Sequence, residues 1–325
     1  MKFKIDFPIS SWDNLLTYAD NLFFIGSCFS ENIHQKFRDA KFSCCSNPNG
    51  ILFNPVSISK AIHSYTTNYQ YQESDIFLYQ ELWHSWQHHS RYSSQDKAAM
   101  LDTINTSQQK AHDFLQKTNY LFLTLGSAWV YEKEGEVVAN CHKYPSNAFS
   151  HRLLTIEECY TALEEMLLNL KKINPAIQIV FTISPVRHLR EGIINNNRSK
   201  AILIYCVHAL IEKYPSIVYF PAYEIVLDEL RDYRFFAEDM AHPTSLAVDY
   251  IWEILQKTSF HSETLTVLPT ILALQKALDH KPFHIHSPSH QKFLSQQYSN
   301  YKQLLHSLPW LDWHKEELFF NEYIG

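Results

Sequence analysis

Residues 21–26 read NLFFIG, a short apolar run that ends in glycine. Two runs of the same kind follow, YLFLTLG at residues 120–126 and IQIVFTI at residues 177–183, and a shorter one lies at residues 217–220. Continuous apolar runs of this length, without alternating polar residues, are typical of strands that are covered on both faces. We therefore predict four buried strands that belong to one parallel sheet.

Helical patterns lie between these runs. The first, at residues 29–40, places Phe29, Ile33 and Phe37 on one face. Further helices are predicted at residues 57–69, 107–118, 155–172, 198–214, 223–231 and 243–256. The alternation of strands and helices predicts a three-layer α/β/α domain of the flavodoxin-like kind. Residues 129–132 and 136–139 are predicted to form a hairpin.

The pattern changes towards the C-terminus. Residues 258–325 contain two predicted helices, at 264–280 and 291–308, and no strand signal. We therefore divide the chain into a main α/β domain, residues 1–257, and a C-terminal helical extension that begins at residue 258.

The composition narrows the class of protein. The 325 residues carry a net charge of −6 and no long basic stripe, so no nucleic-acid partner is expected. No apolar run approaches the ~20 residues that a membrane-spanning helix needs, so we expect no membrane span. The chain start lacks a secretory signal pattern and the six cysteines include no CxxC pair, which together predict a cytoplasmic protein. The absence of a GxGxxG or Walker loop argues against nucleotide chemistry.

Polar or nucleophilic residues follow each of the three longer strands. In chain order these are Ser27 and Cys28, then Gly126 and Ser127, then Arg187 and His188. Because ligands of open parallel sheets bind beyond the carboxyl ends of the strands, we expect these residues near one site. Arg187 and His188 can bind a substrate carboxylate there, and a simple surface role is an equal alternative.

A second motif, Asp239-Met240-Ala241-His242, precedes the last helix of the main domain. At this spacing the Asp239 carboxylate can accept a hydrogen bond from Nδ1 of His242, which fixes the tautomer and directs Nε2 outward as a base. The alternative is an acidic helix start with an incidental histidine, because a chain with 18 histidines contains many such spacings.

Ser27 and Cys28 lie between a predicted strand and a predicted helix. Backbone amides at a helix start stabilise a thiolate or an oxyanion, so we expect the pKa of Cys28 to be lowered. The alternative is a buried cysteine in a tight turn, since free cysteines are commonly buried.

The order of these motifs resembles the SGNH/GDSL hydrolase plan, in which the first strand ends in Gly-Asp-Ser and Asp-x-x-His precedes a late helix. The closer resemblance is to the GSCFA family, a bacterial group named for the run that stands here as Gly26-Ser27-Cys28-Phe29, followed by Ser30. Other family-like blocks lie at residues 54–55, 126–131, 140–143 and 184–188. The resemblance covers residues from about 20 to 257. It implies an SGNH-like fold, acyl-ester hydrolysis or acyl transfer, and no cofactor.

Two departures from the SGNH pattern leave alternatives open. Cys28 stands at the position of the serine nucleophile and Ser27 at that of the aspartate. Either Cys28 attacks as a thiolate, or Ser27 attacks from a shifted turn, or hydrolysis has been lost. The block that supplies an oxyanion-hole Asn is also replaced, and loss of one such donor costs ~3 kcal/mol. Other candidate donors are the side chains of Asn54 and Asn49 and the backbone at Gly50 or Ser127.

Together these residues predict an acyl-transfer enzyme. Cys28 or Ser27 attacks an ester or thioester carbonyl, His242 carries the proton, and Asp239 orients His242. The expected substrate is a small acyl ester or an acylated carbohydrate, by analogy with related folds. The first rival is a catalytically altered binding or assembly module with the same fold.

The second rival is a metal-dependent hydrolase. Residues 70–97, predicted to be irregular, contain the run WHSWQHH at residues 83–89, which can combine with Cys141 and His142 into a metal site. No HExxH or paired Cys spacing supports such a site, so we expect no metal. The same residues can line a substrate cleft instead, with His142 and Lys143 as candidate substrate-binding residues.

Overall fold

Five parallel strands form the central sheet, and helices cover both of its faces. The structure, a computed structural model, describes residue 5, residues 7–280 and residues 287–324. In chain order the strands and helices are β1 (Asn21–Gly26), α1 (Cys28–Asp39), β2 (Ser43–Ser46), α2 (Pro55–Thr67), β3 (Phe77–Tyr79), β4 (Leu82–His84), α3 (Lys97–Gln116), β5 (Tyr120–Leu125), β6 (Trp129–Lys133), β7 (Glu136–Val138), β8 (Ser150–Leu153), α4 (Ile156–Ile173), β9 (Gln178–Ile183), α5 (Ile193–Lys213), β10 (Ile217–Tyr219), α6 (Ala222–Glu224), α7 (Ser245–Ser259), α8 (Ser262–Leu278), α9 (Pro288–Ser307) and α10 (His314–Ile324).

The strands of the central sheet lie in the order β10-β9-β5-β1-β2, and all neighbours are parallel. Gly26, at the end of β1, pairs with Thr124 of β5. Leu125, at the end of β5, pairs with Ile183 of β9. The carboxyl ends of β1, β5 and β9 therefore lie side by side at one edge of the sheet. The predicted three-layer α/β/α fold and its four strands are confirmed.

Alternate residues of a central strand point to opposite faces of the sheet. Phe24 of β1 packs with Phe37 of α1 and Phe122 of β5, in an apolar cluster that continues into α7. Phe23 faces the other way, into the cluster formed with α2, α3, α4 and α5. Every residue of β5 is buried. Burial on both faces explains why these strands are unbroken apolar runs in the sequence.

The sequence reasoning missed β2, which lies at the edge of the sheet beside β1. Its four residues read SCCS and none of them is fully buried. An edge strand has one paired neighbour only, so it lacks the apolar signal of a central strand.

Two smaller sheets flank the main one. The predicted hairpin is confirmed as the antiparallel pair β6–β7, and β8 adds a third strand to it. Residues 70–97 are not wholly irregular, because β3 and β4 pair there as a short antiparallel hairpin. Helix α3 begins at Lys97, ten residues before its predicted start at 107, where Asp96 caps the amide of Ala99.

The C-terminal helices pack on the α1 and α7 side of the sheet. Leu268, Leu304 and Phe320 belong to the same apolar cluster as the residues of α1. A buried ion pair adds to this packing, since Nζ of Lys41 lies 2.6 Å from Oε2 of Glu316. The helices predicted at 264–280 and 291–308 are confirmed as α8 and α9, whereas α10 was not predicted. Of the helices in the described ranges, none combines the length and apolar character that crossing a membrane requires.

Candidate functional site

The turn between β1 and α1 can be formed only by glycine at its first position. Gly26 has φ +140°, and a Cβ added there would lie 2.1 Å from the carbonyl oxygen of Thr124. The amide of Gly26 donates to Oδ1 of Asn47 at 2.9 Å, and the amide of Ser27 donates to the Thr124 oxygen at 3.1 Å. These contacts fix the turn against β5, so that α1 begins at once with Cys28.

Ser27 and Cys28 differ in their access to solvent. Ser27 is fully buried, and its Oγ has no hydrogen-bond partner among the described residues. Cys28 is partly exposed at the first position of α1. Burial raises the pKa of the Cys28 thiol, and the amides of Phe29 and Cys28 act in the opposite direction without outweighing it. The expected lowering of this pKa by the helix start is therefore not found.

Asp239 and His242 form a tightly hydrogen-bonded turn before α7. Oδ2 of Asp239 lies 2.6 Å from Nδ1 of His242, and Oδ1 accepts from the amides of His242 and Ala241, both at 3.0 Å. These amides, followed by the imidazole, lower the pKa of Asp239 to about 2. The side chains of the pair are half-exposed, at 51% for Asp239 and 50% for His242. Nε2 is left as the ring nitrogen that can take up a proton from solvent or substrate.

Arg187 attaches this turn to the segment that follows β9. Its amide donates to the carbonyl oxygen of Ala241 at 3.0 Å, and its NH1 donates to that of Met240 at 3.2 Å. Its guanidinium lies over the ring of Phe236, 3.9 Å from the centroid. Arg187 therefore positions the loop that carries Asp239 and His242, and it also lines a cavity of about 330 Å³ beside that loop.

His188 connects the two sequence motifs in space. A Cβ built on Gly126 would lie 3.2 Å from Nε2 of His188 and 3.2 Å from Cβ of Ser27. Burial lowers the pKa of His188 to about 4, and the nearby charges of Lys200 and His242 act in the same direction. Gly126 thus lies close to both Ser27 and His188, and His188 lies near enough to His242 for the charge of His242 to act on the His188 imidazole.

Lys200 is the residue of this region that the sequence reasoning missed. It is only 1% exposed, and its Nζ donates to the carbonyl oxygens of Gly126 and Ser184, both at 2.7 Å. Burial lowers its pKa to about 7, while Cys28 acts in the opposite direction. A signal exists in the sequence, because Asn196, Lys200, Leu203 and Val207 form one buried stripe of α5. A lysine within such a stripe is unusual.

Two further polar residues of α5 hold the ends of the neighbouring strands. Oδ1 of Asn196 accepts from the amide of His188 at 2.9 Å. Oγ of Ser199 accepts from the amide of Ala128 at 2.7 Å and lies 3.2 Å from Oγ of Ser127. The Ser127 side chain is therefore buried against Ser199 of α5.

The backbone amides expected to stabilise an oxyanion have partners within the protein. Those of Gly126 and Ser127 both donate to the carbonyl oxygen of Phe53, at 2.8 and 2.9 Å. That of Gly50 donates to the carbonyl oxygen of Asn47 at 2.7 Å. A change in the loops that carry these acceptors is needed before the amides can bind a substrate oxygen.

Two asparagine side chains are engaged in the same way. Asn54 is the N-cap of α2, with Oδ1 accepting from the amide of Ser57 at 2.8 Å and Nδ2 donating to its Oγ at 3.0 Å. Asn49 accepts from the hydroxyl of Tyr65 at 2.7 Å and donates to the carbonyl oxygen of Gln87 at 3.0 Å. Both contacts hold loops in place.

The histidine-rich segment around residues 83–90 is hydrogen-bonded to the loop that contains His142. His142 is buried, with Nε2 2.7 Å from the carbonyl oxygen of Ser85 and Nδ1 3.0 Å from Oγ of Ser90. Both ring nitrogens therefore bind protein groups, while Lys143 beside it is exposed. Within residues 5, 7–280 and 287–324, no cluster of three His, Cys, Asp or Glu side chains is arranged to hold a metal ion.

Comparison with known families gives two matches. The model of the GSCFA family matches residues 21–254, which is more than half of the chain. The model described as the C-terminal domain of GSCFA domain proteins matches residues 271–324. No curated protein matches this chain.

Proposed function

This chain belongs to the GSCFA family, and on that basis we propose that it is an acyl-transfer enzyme of the SGNH/GDSL type. The observation that supports the proposal is the chain of neighbours between the two turns: Gly126 lies against Ser27 and His188, and the charge of His242 acts on His188. Open parallel sheets bind their ligands at the carboxyl ends of the strands. A hydrogen-bonded acid–histidine pair beside a nucleophile is the arrangement that acyl transfer needs.

Cys28 is the proposed nucleophile in preference to Ser27. Its side chain reaches solvent, whereas Ser27 is completely enclosed. The amides of Cys28 and Phe29 also favour the ionised thiol, which is the reactive form. Ser27 then serves to shape the turn against Gly126.

The proposed reaction has two halves. The proton of the Cys28 thiol passes to Nε2 of His242, and the sulfur bonds to the carbonyl carbon of an ester or thioester. The adduct breaks its bond to the leaving oxygen or sulfur, which takes the proton from His242, and the acyl group remains as a thioester on Cys28. Water or an acceptor hydroxyl then gives its proton to His242 and attacks this thioester. The thiol is released and recovers the proton.

The cavity next to Arg187, whose wall contains neither Cys28 nor His242, is the proposed place for the part of a small substrate that does not react. Its volume is about 330 Å³, and its wall combines apolar side chains, including Val226 and Phe236, with the guanidinium of Arg187. A cavity of this size holds a short acyl chain with a polar group near its carbonyl. Small acyl esters and acylated carbohydrates are therefore the donors to test first.

A panel of short-chain aryl esters, acyl thioesters and acetylated sugars tests the proposal. We expect turnover, with a mass increase of one acyl group on the peptide that contains Cys28. Cys28→Ala and His242→Ala should each abolish both signals while the circular dichroism spectrum is retained. Ser27→Ala should keep most of the acylation rate. If acylation persists in Cys28→Ala and disappears in Ser27→Ala, Ser27 is the nucleophile and Cys28 is not.

A second candidate function is favoured by the engaged amides of Gly50, Gly126 and Ser127. A protein that has lost its oxyanion donors can keep the fold as a binding or assembly module. The same panel separates the two, because a binding module gives no acyl adduct with any donor, even at high protein concentration.

A further inference from the structure

The cavity that Arg187 lines has a second arginine, Arg231, in its wall. The acidic residue of this wall is Asp232, and its Oδ2 lies 3.2 Å from the guanidinium of Arg234, so its charge is already paired. Neither Arg187 nor Arg231 forms an ion pair with any of the residues that the structure describes. Two positive charges without an acidic partner, in the wall of one cavity, are an arrangement typical of anion-binding sites.

The guanidinium of Arg187 is held in a fixed orientation. Nη1 donates to the carbonyl oxygen of Met240 at 3.2 Å, and the group lies over the ring of Phe236, 3.9 Å from the centroid. A guanidinium has five N–H donors, and within residues 5, 7–280 and 287–324 the other four have no acceptor. A planar group that is already oriented and still has free donors can bind two oxygens of a ligand at once.

Arg231 has an unusual backbone conformation. It follows the π-helical segment Ile225–Leu230 with φ +31° and ψ 42°, and its amide donates to the carbonyl oxygen of Val226 at 3.2 Å. Left-handed backbone is uncommon for residues other than glycine, and it costs energy that the surrounding structure must supply. Positions of this kind, and π-helical turns, are concentrated at functional and ligand-binding sites. Here the strained residue contributes a guanidinium to the cavity wall.

We propose that this cavity binds a phosphate monoester, whose phosphate group is contacted by the guanidiniums of Arg187 and Arg231. The organic group of the ligand then packs against Val226 and Phe236, two buried apolar residues of the same wall. A phosphate monoester carries a charge of about −2 near neutral pH and three acceptor oxygens, so it matches two guanidiniums. A carboxylate has one charge and two oxygens, which a single guanidinium already satisfies.

The inference rests on the proposed function in one respect, because it assigns the phosphate to the part of an acyl substrate that does not react. Arg187 connects the cavity to the His242 turn, since its amide donates to the carbonyl oxygen of Ala241 at 3.0 Å. A ligand in this cavity therefore lies beside the loop that carries the proposed base. Binding of a phosphate monoester without an acyl group needs no reaction, so the two claims can fail separately.

Loss of one guanidinium tests the inference on the full chain. The probe is phenyl phosphate, and isothermal titration calorimetry measures its dissociation constant. We expect saturable binding to the wild type and at least about tenfold weaker binding to Arg231→Asn, which loses the charge-assisted hydrogen bonds. Asparagine tolerates left-handed backbone, so this variant should fold, and its circular dichroism spectrum shows whether it does. The matched control is Arg38→Asn, because Arg38 is an exposed arginine of α1 that bonds to Gln35 and is not part of the cavity wall. Its loss should change the affinity less than about twofold, since salt screens distant surface charges.

Two further ligands test the chemistry of the site in the wild type, without any substitution. Benzoate should bind at least about tenfold more weakly than phenyl phosphate, because it has one charge and two oxygens. Benzyl alcohol, which has no charge, should not saturate the protein in the same concentration range. Equal affinity for benzoate overturns the assignment of a phosphate, and equal affinity for benzyl alcohol shows that the apolar wall alone binds the ring.

The inference also falls if phenyl phosphate does not bind, or if it binds folded Arg231→Asn as tightly as the wild type. If phenyl phosphate binds as expected and no acyl donor reacts, the inference stands and the proposed enzymatic activity falls. If acyl donors react and phenyl phosphate does not bind, the activity stands and the inference falls.

Discussion

Asp239 and His242 are joined twice, side chain to side chain at 2.6 Å and side chain to backbone at 3.0 Å. The double contact fixes the imidazole plane relative to the turn and commits Nδ1 to the carboxylate. Because the residues are only three apart, the contact needs no long-range packing beyond the attachment of the turn to Arg187.

Loss of the Asp239 charge should reduce acyl transfer without unfolding the protein. In Asp239→Asn the amide cannot hold His242 in the productive tautomer, and we expect the rate to fall by about 10²- to 10⁴-fold. The measurement is kcat/KM for the most reactive donor of the panel. Asp249→Asn is the matched control, since Asp249 is an exposed acid of α7 that pairs with Lys36 outside the candidate site. Equal rates in both variants would remove Asp239 from the mechanism.

The turn at residues 239–242 should resist acid. The folded pKa of Asp239 is lowered to about 2 from its ordinary 3.8, so its stabilising effect is present above pH 3.8 and is lost as the pH falls through about 2. We expect the ¹³Cγ signal of the Asp239 carboxyl group to show no protonation step of its own above about pH 3 in NMR titrations. A transition centred near 3.8 would show that the hydrogen bonds do not hold the carboxylate ionised.

Gly26→Ala should destabilise the protein more than an alanine at another glycine with positive φ. The new Cβ would lie 2.1 Å from the Thr124 oxygen, so β1 and β5 must separate at the site, and we expect a loss of at least about 2 kcal/mol. Gly135 has φ +83° with nothing within 4 Å of an added Cβ. Gly135→Ala should therefore show only the backbone strain, about 1 kcal/mol. Urea unfolding gives both values, and similar losses would contradict the steric argument.

The variant Asn54→Ala distinguishes two possible roles of the Asn54 side chain, the N-cap of α2 and a hydrogen-bond donor to the oxyanion. Loss of the cap should lower the free energy of unfolding by about 1 kcal/mol and change the acylation rate by less than about threefold. Asn54→Ser keeps an oxygen for the Ser57 amide and should restore the stability. A rate loss of about 10²- to 10³-fold in Asn54→Ala, with stability restored in Asn54→Ser and the rate still low, would instead identify Asn54 as an oxyanion donor.

Lys41→Met should loosen the C-terminal helices. It leaves the carboxylate of Glu316, which is 0% exposed, without its cation, and breaking a buried pair costs about 3–5 kcal/mol. The double variant Lys41→Met, Glu316→Leu should recover most of this loss. Lys60→Met, which breaks an exposed pair with Glu136, is the control and should cost less than about 1 kcal/mol. Thermal unfolding gives the order of the three variants, and an equal loss in the single and double variants would contradict the argument.

The sheet was largely predictable because its central strands carry their own signal. Residues 21–26, 120–125 and 178–183 are buried on both faces, so each is mostly apolar. The edge strand β2 was not predictable from its sequence, SCCS. It is a strand because it pairs with β1, and its own residues have no strong preference for a strand. The start of α3 was missed although Met100 and Ile104, in its first turns, lie at helical spacing and are buried.

The candidate site likewise contains residues whose contacts were predicted from the sequence and residues whose contacts were not. Asp239 and His242 were predicted to pair because the hydrogen bond depends on a spacing of three residues. The Gly26 turn followed from a strand that ends in glycine directly before a helix. Lys200 was missed because its partners, the carbonyl oxygens of Gly126 and Ser184, lie 74 and 16 residues away in the chain. The engagement of the Gly50, Gly126 and Ser127 amides likewise depends on loops from other parts of the chain.

The sequence by itself therefore determined the strands of the core, the glycine turn before Cys28 and the acid–histidine pair. Each of these depends on interactions within a few residues or on burial that leaves an apolar pattern. Only the tertiary structure decided which side chain of the Ser27–Cys28 turn reaches solvent and which backbone amides are already bonded. It alone placed the buried Lys200 amino group against the ends of β5 and β9, because that position arises from the register of these strands and from the packing of α5.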